Sequence, residues 1–123
     1  MEFVEVNGAE YPMKYGHISL KKYMYKYGLK KLIELDQLLG KITIEDMPGF
    51  VKAGFDTGAK ILGDEPPFSQ DQINDLLESH LWLEAAAMEA FAKSIERPVK
   101  PHSKSDNGEA QKEPEPAEID AGN

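Results

Sequence analysis

The three histidines of the chain are the first candidates for metal binding or proton transfer. His80 and Glu84 are four residues apart, so both would lie on one face of a continuous helix. Zinc prefers four ligands, and no HExxH-type motif supplies the others. His17 lies at a predicted strand–helix junction and His102 in a polar C-terminal segment, and neither has a recognisable nucleophile as a partner. The sequence therefore predicts no metal site and no cofactor.

Carboxylates are abundant, but their pattern is typical of a solvated surface rather than of a catalytic pair. They are spread along the central part of the chain: Glu45-Asp46, Asp64-Glu65, Asp71, Asp75 and Glu78. The chain has no cysteine, which excludes disulfide scaffolds, thiolate metal sites and cysteine nucleophiles. Its glycines are scattered and form no phosphate-binding loop. We therefore expect a protein that is not an enzyme.

A basic and aromatic stretch from Tyr11 to Ile33 suggests nucleic-acid binding. It contains all five tyrosines, six lysines and no acidic residue, and such side chains could form a stacking platform. Tyr23 and Tyr27, however, fall on a predicted apolar helix face, and the stretch has no arginine. The net charge of −8 and the pI of about 4.8 also disfavour nucleic acid and anionic membranes. A nucleic-acid-associated regulator using residues 14–31 is kept as an alternative.

Hydrophobic periodicity and turn residues divide the chain into a small helical domain, residues 1–96, and a tail, residues 97–123. Val4 and Val6 alternate with polar residues before Asn7-Gly8, which predicts an N-terminal β-hairpin. Apolar spacing then predicts about five short helices: 17–27, 29–39, from Thr43 or Asp46 to Leu62, from the Ser69–Gln72 capping box to His80, and 81–95. The expected fold class is α+β, mainly α.

The tail, residues 97–123, has four prolines, no aromatic residue, six acidic residues and four basic ones. Such a segment cannot bury enough apolar surface to offset the entropy lost on ordering, so we expect it to be disordered and acidic. No apolar run is long enough to span a bilayer, and the acidic, alternating Met1–Glu5 segment is unlike a signal peptide. These features predict a cytoplasmic protein.

Gly54 and Gly58 lie four residues apart inside the third predicted helix. Each glycine costs about 1 kcal/mol relative to alanine in a helix interior. This cost indicates that another segment packs closely against that face of the helix, either from the same chain or from a second subunit. We favour packing within the chain.

The last predicted helix is apolar on more than one side. Phe91 lies beside its main apolar stripe and Trp82 on a flank, and the stripe consists of Leu81, Ala85, Met88, Ala92 and Ile95. Ala86, Ala87 and Ala90 extend the apolar surface. Such a helix is either central to the core or part of a self-association or partner surface.

The order of elements and several short motifs resemble the tail assembly chaperones of long-tailed bacteriophages. The resemblance covers about residues 3–96. Its motifs are the Val6-Asn7-Gly8 hairpin with Tyr11-Pro12, the basic and aromatic helix ending at Tyr27-Gly28, the leucine-rich segment, Thr43-Ile44-Glu45-Asp46, Val51-Lys52-Ala53-Gly54-Phe55, Glu65-Pro66-Pro67-Phe68-Ser69, and the alanine-rich last helix.

The resemblance implies a non-catalytic protein that binds the tape measure protein, keeps it soluble and helps recruit the tail tube protein. Family members are mainly helical and often self-associate. They act in the host cytoplasm, are absent from the mature virion, and are commonly made in two forms by translational frameshifting. The family supplies no active-site residues.

A binding surface for such a client is expected on the last helix or on the outer face of the first. The candidate residues are apolar or aromatic: Tyr25, Leu81, Trp82, Ala86 and Phe91. Adaptable apolar helix faces are suited to binding an amphipathic helix. A structural or adaptor subunit of the virion is the second alternative, and it would remain in the finished particle.

Overall fold

A computed structural model of the chain describes residues 1–96. It contains two strands, β1 (Glu2–Val6) and β2 (Ala9–Met13), four α-helices, α1 (His17–Lys26), α2 (Met47–Ile61), α3 (Gln70–Ser79) and α4 (Trp82–Ile95), and a 3-10 helix (Leu32–Gly40). The expected class, mainly helical with an N-terminal β-hairpin, is confirmed. The predicted disordered tail lies outside the described residues.

The hairpin is closed by the predicted two-residue turn. Asn7 and Gly8 both have positive φ, at 52° and 87°, as this tight turn requires. Val6 pairs with Ala9 beside the turn, and the antiparallel register continues to Phe3 opposite Pro12. Hydrogen-bonded and non-bonded pairs alternate from the turn, so Pro12 occupies a non-bonded position where its missing N–H costs no ladder bond.

The two faces of β1 differ in character. Val4 and Val6 are buried against the helices, whereas Phe3 and Glu5 point to the opposite, exposed face. This follows from the two-residue period of a strand, in which alternate side chains lie on opposite faces. The face that carries Phe3 is therefore available to solvent.

Helix α2 is the centre of the molecule and contacts β2, α3 and α4. Phe50, Val51 and Phe55 on α2 are fully buried. The Tyr15 ring stacks on Phe50 with centroids 4.4 Å apart, and the Tyr15 hydroxyl donates to the Phe50 carbonyl at 2.6 Å. Burial raises the pKa of Tyr15 well above its usual value, and burial likewise raises the pKa of Tyr23 to about 12. Aromatic rings thus pack around Phe50 within a core that is otherwise mainly aliphatic.

The two interior glycines of α2 allow close contact with β2. A Cβ added at Gly58 would lie 2.4 Å from the Pro12 carbonyl oxygen, and one added at Gly54 would lie 2.8 Å from both Met13 Cγ and the Tyr15 ring. The Lys14 N–H also donates to the Gly54 carbonyl at 3.0 Å. The prediction that the glycines serve packing within the chain is confirmed, and α2 covers the outer edge of β2.

A polar cluster connects the end of α1 to the start of α2. Lys26 Nζ lies 2.6 Å from Asp46 Oδ1, the Tyr27 hydroxyl donates to Asp46 Oδ2, and the Thr43 N–H donates to the Tyr27 oxygen at 3.1 Å. The Lys26 and Tyr27 hydrogen bonds hold the pKa of Asp46 below its usual value. The predicted stop at Gly28 is also present, with a φ of 77°.

The leucine-rich segment differs from the α-helical pattern predicted over 29–39. It forms a 3-10 helix, and Leu32 and Ile33 are 81% and 84% exposed instead of contributing to a wide buried face. A 3-10 helix has three residues per turn, so side chains spaced for 3.6 residues no longer share one face. Only Leu38 in this helix is buried.

The last two helices begin as the sequence indicates, but α4 turns a different face inward. The Ser69–Gln72 capping box is confirmed: Ser69 Oγ accepts from the Gln72 N–H, and Gln72 Oε1 accepts from the Ser69 N–H. The apolar stripe noted in the sequence is not the buried face of α4: Leu81, Ala85 and Ile95 are exposed, while the buried residues are Leu83, Ala87, Ala90 and Phe91. Alanines on nearly every side left the periodicity ambiguous, and the large Leu83 and Phe91 side chains determine which face is buried.

A hydrogen bond joins the end of the hairpin to the last helix. The Tyr15 N–H, just after β2, donates to Ser94 Oγ on α4 at 3.0 Å. Ser94 Oγ in turn donates to the Ala90 carbonyl at 2.7 Å. The hairpin is therefore held by α2 on one side and by α4 on another.

Candidate partner-binding surface

Strand β1 and the outer face of α4 form a shallow groove, here called the β1/α4 groove, which residues from both faces of the strand line. Its walls carry two large aromatic side chains, Phe3 at 54% exposure and Trp82 at 47%. Ala85 and Ala86, which lie between Trp82 and Glu89 along α4, also line the groove. The volume of the groove is about 460 Å³. Large apolar side chains grouped in one concavity are typical of a binding surface.

The charged residues that line this groove are all acidic. Glu2 and Glu5 lie on β1 and Glu89 lies on α4. Within residues 1–96 none of the three carboxylates forms an ion pair, since the pairs found there are Lys26–Asp46 and Lys52–Asp56. The lining of the groove thus combines apolar side chains with negative charge.

Neighbouring residues orient both walls of the groove. Phe3 is directed outward because its neighbour Val4 is buried in the core. Trp82 begins α4, and its ring centroid lies 5.9 Å from that of His80, whose Nδ1 is 2.8 Å from Ser79 Oγ. The next residue, Leu83, is fully buried and fixes the rotation of the helix.

The candidate residues from the sequence do not form one surface. Trp82 and the half-buried Ala86 both line the β1/α4 groove. Leu81 is exposed but lines a different groove, beside Ile44 and Lys22. Phe91 is 1% exposed and packs in the core near Tyr15 and Phe50, so its expected place on the surface is wrong.

Tyr25 lies on the outer face of α1, away from the β1/α4 groove. Its ring is exposed, with Lys21 Nζ 5.7 Å from the ring centroid, and it borders a depression with Lys30 and Leu32. Lys26 on the same helix is bound to Asp46. The basic stretch therefore contains the exposed Tyr25 ring with Lys21 beside it, whereas the charge of Lys26 is balanced by its ion pair with Asp46.

Sequence reasoning missed Phe3 as a surface residue. The alternation of Phe3 with the buried Val4 and Val6 was the signal that could have found it. Leu32 and Ile33 were also missed, because the segment was expected to pack as an ordinary helix. No local pattern pairs Phe3 with Trp82, which lies far along the chain.

Residues 1–96 contain no group of three or more His, Cys, Asp or Glu side chains placed to hold a metal ion. No helix in the same part of the chain is both long and apolar enough to cross a membrane.

Comparison of the chain with protein-family models, with curated proteins and with solved structures gave no match. What the protein binds must therefore be inferred from its own residues and their arrangement.

Proposed function

We propose that this protein is a non-catalytic assembly chaperone of long-tailed bacteriophages, which binds the tape measure protein, keeps it soluble and helps recruit the tail tube protein. The β1/α4 groove is the observation that supports a binding role, because Phe3 and Trp82 are both exposed in one concavity. The identity of the client comes from the sequence resemblance over residues 3–96.

The distribution of exposed apolar side chains supports the same role. Large ones lie on β1, α1, the 3-10 helix, α2 and α4 or in the connecting segments: Met1, Phe3, Ile18, Tyr25, Leu32, Ile33, Ile44, Ile61, Leu62, Leu81, Trp82 and Ile95. A client chaperone needs apolar surface that can cover the apolar face of a long amphipathic helix. The net charge of −8 would keep the resulting complex soluble.

The test is co-expression of the full chain with the long helical, tape-measure-like protein encoded nearby, compared with co-expression of an unrelated acidic protein of similar size. We expect the client to become soluble and to co-elute with this chain after nuclease treatment. A client that stays insoluble while the small protein elutes folded and alone would contradict the proposal. Presence of the chain in purified virions would instead favour the structural-subunit alternative.

One observation favours the nucleic-acid alternative, namely the exposed Tyr25 ring with Lys21 beside it. An exposed aromatic ring and a lysine can stack on a base and contact a phosphate. This alternative predicts salt-dependent binding of single-stranded DNA or RNA that is lost in Lys21→Glu. The neutralisation of Lys26 by Asp46 weakens it.

A further inference from the structure

We infer that the β1/α4 groove binds a cationic amphipathic helix, with its apolar face against Phe3 and Trp82 and its lysines or arginines against the three carboxylates. The inference rests on the proposed function for the source of that helix, a segment of the client. The chemistry of the ligand itself is derived from the groove.

The two aromatic side chains supply the apolar anchors. Phe3 and Trp82 come from different elements and line the same concavity, and each keeps about half of its surface in solvent. Aromatic residues at the centre of an interface carry a large share of binding energy when they are desolvated. A ligand that covers both rings would gain binding free energy from the burial of each ring.

The charges select a cationic ligand. Glu2, Glu5 and Glu89 line the groove, and no lysine or arginine lines it. Glu5 is also paired across the hairpin with Glu10, and like charges directly opposite each other destabilise a sheet. A ligand with lysines or arginines would reduce this repulsion, and the long stems of these residues can lie on apolar surface while their charged ends reach a carboxylate.

The dimensions favour a helix. Trp82 and Glu89 are seven residues apart on α4, which corresponds to two turns and about 10 Å. Ala85 and Ala86 lie between them and let another backbone approach closely. A helix with apolar residues at positions i, i+3, i+4 and i+7 presents a stripe of the same length, with cations on either side of it.

Trp82 is the only tryptophan of the chain and allows a direct test. The probe is a tryptophan-free helical peptide of leucine and lysine, titrated into the full chain while the fluorescence of Trp82 is followed. We expect a saturable blue shift. We expect no shift with a peptide in which glutamate replaces every lysine, or with a peptide of the same composition whose order destroys the apolar stripe.

Paired variants then locate the site. Glu89→Lys should weaken binding of the leucine–lysine peptide about tenfold, while Glu65→Lys, which adds the same charge outside the groove, should leave it within about twofold. Phe3→Ser should weaken binding about tenfold or more, while Ile33→Ser, at another exposed apolar position, should not. Melting curves of all four variants show whether the fold is intact.

Three results would overturn the inference. The first is equal binding of the lysine and glutamate peptides. The second is an equal effect of Glu89→Lys and Glu65→Lys, which would indicate unspecific attraction to an acidic protein. The third is a peptide-free oligomer that Phe3→Ser dissociates, which would make a second copy of the chain the occupant of the groove.

The peptide assay and the co-expression assay can fail separately. A peptide that binds in the groove, together with a tape measure protein that is never solubilised, would refute the proposed function and leave the groove assignment standing. A tape measure protein solubilised equally by the wild type and by Phe3→Ser would refute the groove assignment and leave the proposed function standing.

Discussion

Replacing Gly58 by alanine is the most direct test of the packing between α2 and β2. The new Cβ would lie 2.4 Å from the Pro12 carbonyl oxygen, about 1 Å closer than an ordinary contact. The obstacle is backbone and cannot rotate away, so α2 or β2 must move. Alanine gains about 1 kcal/mol in helix propensity, whereas overpacking costs about 1–3 kcal/mol or more. With overpacking at the upper end of that range, we expect the free energy of unfolding to fall by about 2 kcal/mol. For a domain of about a hundred residues this corresponds to a melting temperature lower by about 10 °C.

The assay is thermal and urea unfolding of the full chain, followed by far-ultraviolet circular dichroism. Gly40→Ala is the matched control, because an added Cβ there meets nothing within 4 Å and its φ is ordinary. We expect the control to change stability by less than about 0.5 kcal/mol. The stability of Gly49→Ala should lie between those of Gly58→Ala and Gly40→Ala, because the new Cβ would lie 3.0 Å from the Tyr23 hydroxyl, which is a side-chain group and can move. If Gly58→Ala melted at or above the wild-type temperature while Gly40→Ala was unchanged, the close approach of α2 to β2 would be refuted.

Three further predictions concern hydrogen bonds and ionisation. Tyr15→Phe should cost about 0.5–1.5 kcal/mol in urea unfolding, because the fold loses one buried hydrogen bond, from the Tyr15 hydroxyl to the Phe50 carbonyl; an unchanged midpoint would contradict that bond. Stability should fall as the pH rises from about 10 towards 12, because tyrosines ionise near 10 in the unfolded chain while the pKa of Tyr23 is about 12 and that of Tyr15 is also raised. A melting temperature constant over that interval would refute the burial of both phenols. Ser69→Ala should cost about 1 kcal/mol through loss of the bond from the Gln72 N–H, and a cost no larger than that of Ser79→Ala would argue against the cap.

Features set by neighbouring residues could be predicted from the sequence. The Asn7-Gly8 turn depends on two residues that tolerate positive φ, and the Ser69–Gln72 capping box depends on a spacing of three. The cost of the α2 glycines likewise predicted a close contact. In the turn and the cap, the interacting residues are close together in the sequence. For the glycines, the low helix propensity is a property of the residue itself.

Features set by distant residues could not be predicted in the same way. The inward face of α4 is determined by what Leu83 and Phe91 meet in the core, and alanines carry too little preference to show it. The exposure of Leu32 and Ile33 depends on the 3-10 geometry of a segment whose composition also suits an α-helix. The candidate groove needs one wall from β1 and one from α4, and no local spacing relates them.

The wide separation of these walls in the chain also sets the order in which the binding surface can arise during synthesis. Phe3 is made well before Trp82, which lies near the end of residues 1–96. An isolated two-stranded hairpin is marginally stable in water, and here β2 depends on α2 and on the Tyr15–Ser94 bond for support. A nascent chain that stops before α4 therefore lacks one wall of the β1/α4 groove, so the groove can form only after α4 has been made.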